Sequence, residues 1–74
     1  MTTATMVMDR ALSLARVGTD EEAAVRDLLQ CCGENRVSVV MARRRVLELD
    51  SESDANAVRA AELLDQVLIR LSES

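Results

Sequence analysis

Along the last third of the chain, apolar residues fall at Ala57, Ala61, Leu64, Leu68 and Leu71. Spacings of three and four residues hold such side chains on one side of an α-helix. Ala60, Leu63 and Val67 widen the stripe, while Arg59, Glu62, Asp65, Gln66 and Arg70 fill the opposite side. The pattern predicts a helix over 54–72, capped at its start by Ser53 or Asp54. So broad a stripe has to be covered by other helices.

The preceding chain supplies them. Met8, Leu12 and Ala15, with Ala11 and Leu14 beside them, predict a first helix over 4–17. Gly18 suits the left-handed position that closes its last turn. Thr19-Asp20-Glu21-Glu22 then matches a capping box, with Thr19 as the cap and Glu22 reaching back. A second helix over 20–32 carries Val25, Leu28, Leu29 and Cys32 on one face, and Glu22 and Arg26 are spaced as an ion pair on the other. Gly33 ends it. The short connection Glu34-Asn35 places the second and third helices side by side.

The third segment is the ambiguous one. Arg36-Val-Ser-Val-Val-Met is β-branched enough to pass for a strand, whereas Ala42 to Leu49 reads as helix. A lone strand would leave its backbone groups unpaired, which favours helix throughout 36–49. Val39, Ala42, Val46 and Leu49 then form one apolar stripe, and Val37, Val40, Met41 and Leu47 form a second beside it. Together they exceed what one neighbouring helix covers. Either this helix is central, or its second stripe meets another subunit.

These elements predict an all-α fold: a small antiparallel bundle of about four helices (4–17, 20–32, 36–49, 54–72), completed by homodimerisation. The chain is a single helical domain over 1–74, with residues 1–3 and 72–74 frayed.

Composition sharpens that picture. The chain has 74 residues and no Phe, Trp or Tyr, so the core rests on Leu, Val, Ala and Met. A scaffold this small usually leans on disulfides, a metal or self-association. Cys31 and Cys32 are adjacent, and Cα atoms about 3.8 Å apart are too close for a relaxed bridge. Without His, a zinc site needs ligands from a second chain. One thiol is expected to pack as a small hydrophobe and the other to lie near the surface. Self-association remains, and no metal or cofactor is expected.

The net charge is −4 and all nine basic residues are Arg. The acidic balance weighs against nucleic acid or anionic membrane as a partner of the whole surface. No segment approaches the ~20 apolar residues of a membrane span. Met1 to Met8 has no basic residue before its short apolar run, unlike a secretory signal. Unpaired thiols fit a reducing cytoplasm.

Candidate chemistry is sparse. Without His, Tyr or Lys, the usual general bases and amine nucleophiles are missing. Cys31 and Cys32 stand at a helix C-terminus, the wrong end for lowering a thiol pKa. An enzyme is not expected. Arg36, Arg43, Arg44 and Arg45 form the one local positive region, a candidate contact for an anion or acidic partner. With the turn at Gly33 they also suggest a DNA-binding helix-turn-helix, although the apolar start of the third helix suits a groove poorly. The expected function is therefore a non-enzymatic protein–protein interaction module, regulatory or scaffolding, acting as a helical homo-oligomer. A homodimer and an unidentified protein partner would meet it through Val39, Ala42, Val46, Leu49, Leu64 and Leu68. The alternative is a small dimeric DNA-binding transcriptional regulator using Arg36 and Arg43 to Arg45.

Overall fold

The computed structural model describes residues 3–33, 35–49 and 55–73, and for Leu49 the backbone only. Among these residues there are four helices: α1 (Thr3–Val17), α2 (Glu21–Cys32), α3 (Arg36–Leu49) and α4 (Ala55–Glu73). The β-branched run after Arg36 is helical, because its backbone has no strand to pair with among the described residues and its alternate turns reach the core.

Local chemistry sets the breaks. Gly18 adopts φ +79°, and its N–H donates to the carbonyls of Leu14 and Ala15. The N–H of Thr19 donates to Leu14 as well, which completes a Schellman closure of α1. Gly33, at φ +56°, follows the last residue of α2, and its N–H donates to the Leu29 carbonyl.

The start of α2 differs from the expected capping box. Helical backbone begins at Glu21, so Asp20 holds the cap position and makes no side-chain cap hydrogen bond. That shift moves Thr19 and Glu22 out of the reciprocal positions a box requires. Glu22 instead approaches Arg26 at 3.9 Å, the ion pair expected one turn along. α3 does carry a side-chain cap: Ser38 N donates to Asn35 Oδ1 at 3.2 Å. The expected cap at Ser53 or Asp54 lies outside the described residues, as do residues 1, 2 and 74. Ser72 and Glu73, expected to fray, are the last residues of α4.

The packing order also departs from the chain order. α1 and α4 touch along the middle of the bundle, α3 packs against both, and α2 packs against both. α2 and α3, expected to lie side by side, share the least contact of any pair. A short turn fixes two helix ends near each other and leaves their axes free. The apolar stripes then decide, and both α2 and α3 direct theirs to α1 and α4.

α3 and α4 run antiparallel. Arg36 Nη2 donates to Ser72 Oγ at 3.1 Å, and Arg43 Nε stands 3.7 Å from Asp65 Oδ1. One helix therefore descends residue for residue as the other climbs.

The core gathers Val7, Ala11, Val25, Leu28, Val39, Val46, Ala57, Leu63, Leu64 and Val67 with further alanines and Cys32. Small side chains let helix axes approach closely, which replaces the bulk that aromatic rings would bring. The Cα radius of gyration is 10.9 Å, near the roughly 11 Å of a compact chain of this length. One copy thus encloses this core by itself. No helix among the described residues is long and apolar enough to cross a membrane.

Candidate functional site

The two apolar stripes of α3 have separate fates. Val39, Ala42 and Val46 are fully buried in the core of their own chain, and so is Leu64 of α4. Leu68 packs against that core from its edge, half-buried. Leu49, the remaining residue of the expected interface, has no described side chain. The residues expected at a subunit contact are therefore occupied within one copy, wherever their side chains are described.

The second stripe is open. Val37, Val40, Met41 and Leu47 face outward with 44–67% of their surface exposed. The physical cause is the placement of α3: it has α1 and α4 on its inner flanks and almost no contact with α2. None of the described helices covers its outer side.

The arginine cluster is dispersed by the same geometry. Consecutive residues on a helix point about 100° apart, so Arg43, Arg44 and Arg45 spread over more than half the circumference of α3. Arg45 Nη1 donates to Thr5 Oγ1 of α1 at 2.8 Å. On the opposite flank Arg43 approaches Asp65 of α4, and Arg36 reaches Ser72 at the end of the same helix. Three of the four arginines thus clasp α3 to its neighbours. Arg44 stays on the outer face, exposed and without an ion pair among the described residues.

Where α3 meets α4, two surface rows lie together. Arg36, Val40, Arg43 and Leu47 follow the helical repeat along α3, and Arg36 and Arg43 mark that row as the one bordering α4. On α4 the bordering row is Val58, Glu62, Asp65, Ile69 and Ser72, marked by Asp65 and Ser72. The antiparallel register sets Val40 opposite Ile69 and Leu47 opposite Glu62. Val58 and Ile69 are about as exposed as the α3 stripe. The sequence reading assigned only polar residues to this side of α4. The spacing Val58, Glu62, Asp65, Ile69 was the signal that could have found it.

A second surface feature joins α1 and α2. Arg10 donates to both oxygens of Asp27, from Nε at 3.1 Å and from Nη2 at 2.9 Å. The hydrogen bond and charge of Asp27 raise the guanidinium above its usual pKa. The pair spans an open groove of about 590 Å³ lined by Met6, Asp9, Ser13, Gln30 and Cys31 as well. Cys31 is half-buried there, while Cys32 is buried and its Sγ donates weakly to the Leu29 carbonyl at 3.5 Å. The two thiols divide as expected, one in the core and one near the surface.

No known protein family, no curated protein and no solved structure matches this chain.

Proposed function

We propose that this protein is a non-enzymatic protein–protein interaction module, regulatory or scaffolding, whose contact surface is the outer face of α3 with the bordering row of α4. The observation that carries the reading is the open stripe Val37, Val40, Met41 and Leu47. Single exposed apolar residues are ordinary, but four on one side of one helix, with Val58 and Ile69 on the bordering row of α4, suit a docking surface. Met41 suits such a role, because its unbranched side chain adapts to what it meets. The dispersal of Arg36, Arg43 and Arg45 into contacts within the chain takes weight from a nucleic-acid reading, which needs those side chains free for phosphate.

The test is photo-crosslinking in the source cell. A photoreactive phenylalanine replaces Val40 on the α3 face in one variant and the exposed Ala23 of α2 in another. Discrete adducts from position 40, to this chain or to another protein, with none from position 23, are the expected outcome. Adducts from position 23 alone would place the contact surface elsewhere and reject the reading.

A further inference from the structure

We infer that the occupant of this face is a second copy of the chain, seated with α3 of each subunit over α4 of the other. The inference rests on the reading just given and names the partner and its geometry.

Charge is the first argument. The α3 side of the face carries Arg36, Arg43 and Arg44 with Glu48, and the α4 side carries Glu62 and Asp65. These residues make the α3 side of the face positive by two and the α4 side negative by two, so the face is neutral on a chain of net charge −4. A neutral face pairs with its own copy without the repulsion that the whole chain would impose. Its two halves are nevertheless of opposite sign, which fixes how they pair. A two-fold axis perpendicular to the helices would lay α3 on α3 and α4 on α4, like charge on like. An axis parallel to the helices lays α3 on the partner's α4, opposite charge on opposite charge.

Height along the helices, once that axis is taken, sets the register. Rotation about an axis parallel to the helices leaves each residue at its own level. The contacts Arg36 to Ser72 and Arg43 to Asp65 fix which residues of α3 and α4 share a level. Arg44 then stands between the partner's Glu62 and the partner's Asp65. Val37, Val40 and Met41 gather around the partner's Ile69, and Leu47 comes level with the partner's Glu62, one turn from the partner's Val58. The exposed apolar residues of the first turns of α3 thus fall on the partner's Ile69, and Arg44 falls on carboxylates. The same two contacts that tie α3 to α4 inside one chain set the register between two chains.

The decisive experiment is charge complementation, read by sedimentation equilibrium of the full chain. Arg44→Glu alone and Glu62→Arg alone each turn two attractive contacts of the dimer into repulsive ones, and each is expected to weaken self-association by roughly tenfold or more. An equimolar mixture of the two variants forms a heterodimer in which both contacts are attractive again, and its association is expected to return to the wild-type strength. Both substitutions are at exposed positions, and circular dichroism confirms that each variant stays helical. A mixture no tighter than its components would overturn the α3-on-α4 arrangement while leaving the face itself standing. A wild-type chain that is monomeric at every concentration would overturn self-pairing, and the crosslinks from position 40 would still judge the face. A dimer undisturbed by Val40→Asp would remove the face from the interface, and the inference with it.

Discussion

Arg43 Nε stands 3.7 Å from Asp65 Oδ1, buried beneath the α3–α4 seam and without a hydrogen-bond partner. The pair is held by charge at a distance, because a hydrogen bond requires closer approach. Both side chains are about half exposed, so solvent screens the attraction. Such pairs contribute about 0–1 kcal/mol. Asp65→Asn is therefore expected to lower the unfolding free energy by less than about 1 kcal/mol, with the difference shrinking at high salt. Arg43→Met removes the unbonded donor and keeps the stem, and is expected to leave stability equal or raise it. Urea denaturation at two salt concentrations checks both, and a large loss for Arg43→Met would show that Nε is satisfied in solution.

The two stripes of α3 should respond oppositely to the same substitution. Val46→Asp puts a carboxylate into a fully buried position of the core that also holds Val39 and Leu64, where an unpaired charge costs several kcal/mol. A chain of this size has about 5–10 kcal/mol to lose, so the helical circular dichroism signal should collapse or melt far lower. Val40→Asp, on the open side, should keep its helicity, and at concentrations where the wild type is monomeric its melting temperature should stay within a few degrees. Equal destabilisation by the two would contradict the burial pattern.

Gly33 is required by its backbone alone. At φ +56° a side chain is strained, yet an added Cβ would meet nothing within 4 Å. Gly33→Ala should cost about 1–2 kcal/mol. Gly33→Asn should cost less, since Asn tolerates the left-handed region better. A synthetic chain with D-alanine at the same position should match or exceed the wild type in thermal melts.

The cap at Asn35 and the absent box at Thr19 separate cleanly. Asn35→Ala loses the bond to Ser38 N and should destabilise by about 1 kcal/mol. Thr19→Ala, at a residue that the structure places before the cap, should cost well under half of that in the same denaturation assay.

Cys31 and Cys32 should react at different rates with a thiol reagent. Cys31 is half-buried at the α1–α2 groove and Cys32 is in the core. Under native conditions one equivalent should be labelled promptly, and mass spectrometry should place it on Cys31. The second should appear only at the rate of opening or unfolding. Simultaneous labelling would mean that α2 frays through its last turn.

The helices were legible because their signals are local. Both glycines and the spacings of three and four set boundaries that the structure reproduces to within about one residue. The partner of each helix was less legible, since a short link such as Gly33 to Asn35 constrains ends rather than faces. The cap at α2 was misplaced because Thr19 and Asp20 are both acceptable cap residues, and sequence spacing alone favoured the first. Three arginines in a row suggested a patch. Their separation into clasps on α1 and α4 followed only once the neighbours of α3 were known. The two stripes on α3 were recognised together, but which of them faced inward depended on where α1 and α4 lay. For α4, the exposed Val58 and Ile69 were hidden by the polar residues between them, and only their register against Val40 and Leu47 shows them as part of one surface.

The alanine-rich interior has a consequence for how this protein tolerates change. Ala11, Ala24, Ala42, Ala57, Ala60 and Ala61 are buried in the core between the helices. Trimming at such places leaves almost no void, because little volume is there to remove. Growth is the hazard: one added methyl pair at Ala42 or Ala60 would have to prise two helices apart along their length. Inside the bundle the sequence is therefore confined to residues no larger than those it already has.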